Sequence, residues 1–184
     1  MAGNVKAVPE GTHTITAHLM VREGVKAIEF YQKAFGAQLL HVHKTPDGKV
    51  MHATLKIGDS QLMLADEFPG MSNPSAHTLG GSPVVLNIYV EDVDTLFNQA
   101  VAAGAKVTMP LANQFWGDRY GQIVDPFGHS WALGSHVEDV APEEMERRAN
   151  AIFGEMAKKA GAYGKKVSGV SENTGIRDQG PAEI

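Results

Sequence analysis

One order of strands and helices is written twice in this chain, and that repeat restricts the fold more than any other feature of the sequence. The pairs Val25/Val93, Ile28/Leu96, Ala34/Ala102, Gly36/Gly104 and Ala37/Ala105 each recur 68 positions apart. Self-similarity at a fixed spacing means one supersecondary unit used twice. The first copy opens with HTITAHLMV, residues 13–21, where Ile15, Ala17, Leu19 and Val21 alternate with Thr14, Thr16, His18 and Met20. A period of two predicts a strand. In EGVKAIEFYQKAFGA the residues Val25, Ile28, Tyr31 and Phe35 fall near helical spacing, and Gly36 is placed to stop the helix. Strands are predicted over 38–44, 50–57 and 61–66, joined by a Thr45-Pro46-Asp47-Gly48 turn and a Gly58-Asp59 hairpin.

The second copy has a strand over 84–90, then a helix capped by Asp92 with apolar positions Val93, Leu96, Phe97, Ala100 and Val101, ending at Gly104. A strand over 106–109 and a loop through Pro110 lead to a hairpin of 115–124 and 129–136. Within that hairpin, DRYGQIVDPFGHSWAL, the turn is Asp125-Pro126-Phe127-Gly128, and Asp125 reads as its capping residue. The fold class this predicts is α+β, with paired βαβββ modules forming a curved mixed sheet. The expected organisation is a lead-in over 1–12, modules over 13–66 and 83–136 within one domain (13–136), and a linker over 67–82 able to serve as a flap. A C-terminal helix is expected over 137–160, started by Asp139 or Pro142 and carrying an apolar stripe of Met145, Ala149, Ile152, Phe153 and Met156. A polar tail, mobile or extended, is expected over 161–184.

A chain of 184 residues with 43% hydrophobic content can bury a proper core. The net charge of −5 argues against a nucleic-acid binder, which needs a basic face. With no cysteine there are no disulfides, thiolate metal sites or Cys nucleophiles. The N-terminal segment has no apolar signal-peptide core, and no run approaches a membrane span, so the expectation is a soluble, cytoplasmic protein.

Alternation assigns faces. Each helix must cover the apolar face of its own sheet, leaving the other face to Thr14, Thr16, His18 and Met20 on the first strand. Met51, Ala53, Leu55 and Ile57 should lie under the helix and His52, Thr54 and Lys56 opposite. Gln61, Met63 and Ala65 join that opposite face, as do Val85, Asn87 and Tyr89 (with Val84 under the helix), and Ser130, Ala132 and Gly134. Such a mixed face, curled into a cup, has the composition of a small-molecule pocket. Trp116 and Phe115 enter the hairpin where they can line it. Arg119 can pair with Asp118 or clamp an anion. His41 and His43 share one face of an edge strand and read as solvated, and His136 can serve either role.

AIEFYQKAFGA, MHATLKIGDSQLMLAD and FWGDRYGQIVDPFGHSWAL with the following EDVAPEEMERR resemble the vicinal oxygen chelate superfamily (glyoxalase I, extradiol dioxygenases, bleomycin- and fosfomycin-resistance proteins), most of all its glyoxalase-like, PhnB-like branch. The resemblance covers roughly 13–148. It implies the glyoxalase/bleomycin-resistance/dioxygenase fold and a homodimer, in many relatives with each cup built from both chains. In metal-using members four cup positions supply His, Gln or Glu. Here the resemblance places them at Thr16, Met63, Val85 and Ala132, none of which suits a divalent cation.

The expected function is therefore metal-free binding of a small hydrophobic or aromatic molecule, of a resistance or sequestration type. Met63, Tyr89 and Trp116 would be walls, and His18, His52, Asn87 and Arg119 polar anchors, with no cofactor. The alternative is a glyoxalase-like lyase or dioxygenase using Zn, Ni or Fe on non-standard ligands, or His18 or His52 as general base. A vestigial, purely structural dimer is a third reading.

Overall fold

The structure is a computed structural model that describes residues 6–171, with side chains described as far as 157. It divides into two compact units, Met1–Val137 and Glu138–Ile184. The first holds both expected modules. Module one runs β1 (Ala17–Val21), α1 (Gly24–Phe35), β2 (Gln38–Lys44), β3 (Val50–Ile57) and β4 (Ser60–Asp66). After α2 (Ala76–Leu79), module two runs β5 (Val85–Tyr89), α3 (Val93–Ala102), β6 (Lys106–Asn113), β7 (Asp118–Val124) and β8 (Ser130–His136). Each module folds as a four-stranded mixed sheet, in the orders β1-β4-β3-β2 and β5-β8-β7-β6, with β1 parallel to β4 and β5 parallel to β8.

The helix ends follow the local chemistry. The Asp92 carboxylate accepts from Thr95 N at 3.0 Å and caps α3. Gly36 ends α1 at φ 64°, a left-handed conformation that costs glycine nothing. Each helix start is also tied to the strand beside it: Gly24 N donates to Asp66 Oδ1, and Val93 N donates to Ser135 Oγ. These equivalent anchors stand 69 positions apart, whereas the stops Gly36 and Gly104 stand 68 apart. The repeat thus loses one residue within the shorter second helix.

One apolar cluster joins the two modules. The buried face of α1 (Ala27, Ile28, Phe30, Tyr31, Ala34, Phe35) packs with Phe127 and Trp131 of module two as well as with its own sheet. Each such aromatic contributes about 1.5–3 kcal/mol by burial. Inside the cluster the Asp125 carboxylate is 3% exposed and accepts from Tyr31 OH, Trp131 Nε1 and the backbone of Phe127 and His129, all at 2.7–2.9 Å. Donors on every side are what make a buried carboxylate tolerable. Burial, followed by the Asp125 charge and hydrogen bond, raises the Tyr31 phenol well above its usual range, so it remains a donor. Asp125 therefore caps its turn, as expected, and also fastens the modules together.

Several local expectations are corrected. β1 begins at Ala17, leaving Ile15 89% exposed ahead of it. A register shift between β2 and β3 turns Met51 out and puts Val50 in the core. Val84 precedes β5 and is exposed rather than under α3. β6 continues through Pro110 to Asn113; it is an edge strand with irregular register between Met109 and Ala112, where a missing N–H is tolerated. The hairpin strand starts at Asp118, not at Phe115. The stretch 67–82 contains α2, capped by Ser75 and tied down by Glu67, whose carboxylate accepts from Ser75 N and Thr78 OH. Hydrogen bonding from Ser75, then from Thr78, lowers the Glu67 pKa to about 2.

The second unit is built on α4 (Pro142–Ser171), which starts with proline at its first position and passes the expected end at 160. Arg148 bridges Glu138 and Glu144 near its start. Of the expected polar tail, residues 172–184 lie outside the described residues. No helix is long and apolar enough to cross a membrane, among the described residues.

Candidate functional site

The faces turned away from the helices carry the predicted site residues in two groups. On sheet one, register places His18, Met63, Thr54 and His41 in a single row across β1, β4, β3 and β2, and sets His43 opposite His52 in the next row. The His18 and His52 rings meet edge-on at 5.7 Å, and His41 and His43 at 4.3 Å. His52 Nε2 lies 3.2 Å from Thr54 Oγ1. Desolvation, reinforced by the neighbouring His52, lowers the pKa of His18 below the ordinary histidine value. Histidines His41 and His43 are exposed, as expected, but they continue this row rather than stand apart from it.

On sheet two the organising group is Asp118, 5% exposed. Its Oδ2 accepts from Tyr89 OH at 2.7 Å and Trp116 Nε1 at 2.9 Å, and its Oδ1 lies 2.9 Å from His136 Nδ1. Burial opposes ionisation of this carboxylate, yet the Tyr89, His136 and Trp116 hydrogen bonds outweigh it, and the pKa is lowered. The hydrogen bond to Asp118, ahead of burial, raises the pKa of Tyr89, which stays protonated as donor. Tyr89 reaches Asp118 by lying across Gly134, where an added Cβ would come within 3.3 Å of its ring. Trp116 packs edge-on against Tyr120 at 5.5 Å, and Gln122 donates to Tyr120 OH at 2.8 Å. The result is an aromatic surface whose polar tips are already oriented by hydrogen bonds.

Sequence reasoning missed Asp118, Tyr120 and Gln122 as a set, although DRYGQIV places all three on one face by alternation. The same alternation corrects Arg119. Its neighbour Asp118 occupies the outer face, so Arg119 points to the helix side, where its guanidinium forks onto the Asp94 carboxylate in the first turn of α3. It neither pairs with Asp118 nor reaches the outer face. Asn87 is exposed on β5, with a weak 3.4 Å bond from its amide to Val85 O. His129 is buried, with Nε2 3.1 Å from Met20 O at the outer edge of β1.

A cleft of about 450 Å³ opens between β1–β4 and β5. Its floor is apolar (Phe35, Leu62, Leu86, Ile88, Leu96 and Trp131), and Gln61, Asn87 and Tyr89 are among its polar lining. That size falls within the range of small-molecule sites. Its floor belongs to the helix side of the sheets, and Tyr89, which donates to Asp118 on the outer face of sheet two, is also part of its lining.

The four positions at which metal ligands are expected hold Thr16 just before β1, Met63 on β4, Val85 at the start of β5 and Ala132, 1% exposed, on β8. A hydroxyl, a thioether and two hydrocarbon side chains do not make a site for Zn, Ni or Fe. Among the described residues no three His, Asp or Glu side chains are grouped so as to hold an ion elsewhere. The residues present do not fit the metal that the resemblance associates with this fold.

Residues 12–133 match the family model described as the glyoxalase/bleomycin resistance protein/dioxygenase superfamily. A Mycobacterium bovis protein, Mb0911c, is 44% identical over 135 residues, 72% of this chain and 89% of its own. Among solved structures, TioX from Micromonospora sp. ML1 is 27% identical with a TM-score of 0.56, covering 68% of this chain and 99% of its own. PA1353 from Pseudomonas aeruginosa is 26% identical with a TM-score of 0.58, covering 69% and 100%. With the paired βαβββ modules, these matches give the conclusion that the chain belongs to the glyoxalase/bleomycin resistance protein/dioxygenase superfamily.

Proposed function

We propose that the protein binds a small hydrophobic or aromatic molecule between the outer faces of its modules, without a metal, in the manner of a resistance or sequestration protein. The observation that carries this reading is the replacement of the four ligand positions by Thr16, Met63, Val85 and Ala132 on faces that otherwise offer aromatic walls and oriented polar tips. Tyr89, Trp116 and Met63 are the walls, and His18, His52 and Asn87 the anchors; Arg119 is committed to Asp94 and leaves the set. A homodimer and a cytoplasmic location belong to the same proposal. Val85 and Tyr89 are 40% and 60% exposed on the outer face of sheet two, a surface that a second copy can cover while completing the cup. The alternative is catalysis with His18 as general base, favoured by its lowered pKa, which keeps it unprotonated at neutral pH.

The test is a thermal-shift screen of chelator-treated protein against aromatic, drug-like molecules, repeated with Zn, Ni and Fe. A ligand that binds the native state raises its melting temperature by mass action. Shifts without metal support the proposal; shifts only with metal overturn it. Sedimentation equilibrium at micromolar concentration tests the dimer, and a monomer there removes it.

A further inference from the structure

We propose that the outer face of sheet one receives the anionic end of the ligand, and that the ligand is an aromatic carboxylate. This rests on the reading above that the outer faces are the ligand seat. The face is basic in every titratable group it carries. β1 contributes His18, β2 His41 and His43, and β3 His52 and Lys56, while the β4 positions Gln61, Met63 and Ala65 are uncharged. Half of the chain's 8 histidines thus fall on one face of one sheet in a protein of net charge −5. Asp59 in the β3–β4 turn engages Ser60 and has His13 and Lys56 as its charged neighbours. The influences on His18, burial first and then His52, both favour its neutral form.

A face of that kind has a defined response to an anion. Without one, burial and then the adjacent His52 ring disfavour protonation of His18. An arriving carboxylate supplies the missing counter-charge, so an imidazole takes a proton from solvent as the complex forms. The aromatic part has a place to go. A second cavity, of about 230 Å³, is lined by His18 together with Leu19, Val84, Leu86 and His129. Met63, beside His18 in the same row, offers a polarisable contact for a ring.

The test is calorimetric titration of the full chain with 2-naphthoate and with its uncharged counterpart 2-naphthamide, at pH 6.0 and 7.5. Naphthoate should bind between about eightfold and about thirtyfold more tightly at the lower pH, the range for uptake of one proton by a histidine of ordinary or lowered pKa. Naphthamide should be indifferent to pH. Titration in buffers of different ionisation enthalpy should show close to one proton taken up per naphthoate at pH 7.5, a readout that needs no variant. A His18→Gln/His52→Gln chain should lose both the pH dependence and the preference for the acid. Equal, pH-independent binding of the two probes overturns the carboxylate inference and leaves the binding function standing. Unchanged naphthoate binding in the double variant also overturns it, and no binding of either probe removes both.

Discussion

Replacing Asp118 by Asn probes the outer face of sheet two through its most buried polar group. The carboxylate is 5% exposed and accepts from Tyr89, Trp116 and His136. Asn keeps the shape but retains one accepting oxygen and turns an amide donor towards at least one of three donors. A hydrogen bond to a charged acceptor contributes about 1.5–3 kcal/mol, and a buried donor left unpaired costs a similar amount. Tyr89 is 60% exposed and the His136 side chain 55%, so both regain part of their loss from water. The half-buried Trp116 indole regains less. The expected net loss is about 3 kcal/mol, a fall in melting temperature of about 6–12 °C for a domain of this size. Tyr89→Phe, which removes one largely exposed donor, should cost about 1 kcal/mol or less. The effect has a definite sign with pH. The folded pKa of Asp118 lies below its unfolded value, so its stabilisation is complete above about pH 4 and is lost as pH falls through the folded value. The difference between wild type and Asp118→Asn, read from near-ultraviolet circular dichroism melts, should therefore shrink on acidification from pH 5 towards pH 2. Equal melting temperatures at pH 7, or a difference that grows on acidification, would refute the reasoning.

Other perturbations test the frame that holds the site. Asp125→Ala strands Tyr31 OH, Trp131 Nε1 and two backbone amides at the joint between modules, and should cost over about 3 kcal/mol, against about 1–2 for Tyr31→Phe, in urea melts. Gly24→Ala puts a Cβ 2.8 Å from both Val50 Cβ and Asp66 Oδ2, and should lower stability by about 1–3 kcal/mol. Gly134→Ala meets the Tyr89 ring first, at 3.3 Å; it should displace that ring, which is visible as altered Tyr89 and Trp116 resonances, with a loss under about 1.5 kcal/mol.

Much of the fold is written locally, and that part was legible. The strand periods, the Asp92 cap, the Gly36 stop and the DPFG turn each depend on a few neighbouring residues, and each is present. Alternation also chose the correct side for His18, His52, Met63, Asn87 and Tyr89. It fails where a bulge resets the parity, as at Val50 and Met51. It names directions and not partners, so the convergence of β5, the Gln114–Gly117 turn and β8 on Asp118 was not visible. Arg119 shows the opposite case. Two consecutive strand residues cannot share a face, and that rule alone separates it from Asp118. The helix α2 has only 4 residues, too few for periodicity to register, and depends on Glu67 for its anchor.

Amide chemical-shift mapping of chelator-treated protein with an aromatic ligand tests the central claim most directly. The account predicts metal-independent changes concentrated at His18, His52, Met63, Asn87, Tyr89 and Trp116. Changes that appear only after Zn, Ni or Fe is restored, or that fall on the cleft floor at Phe35 and Leu96 while the outer faces stay silent, would contradict it.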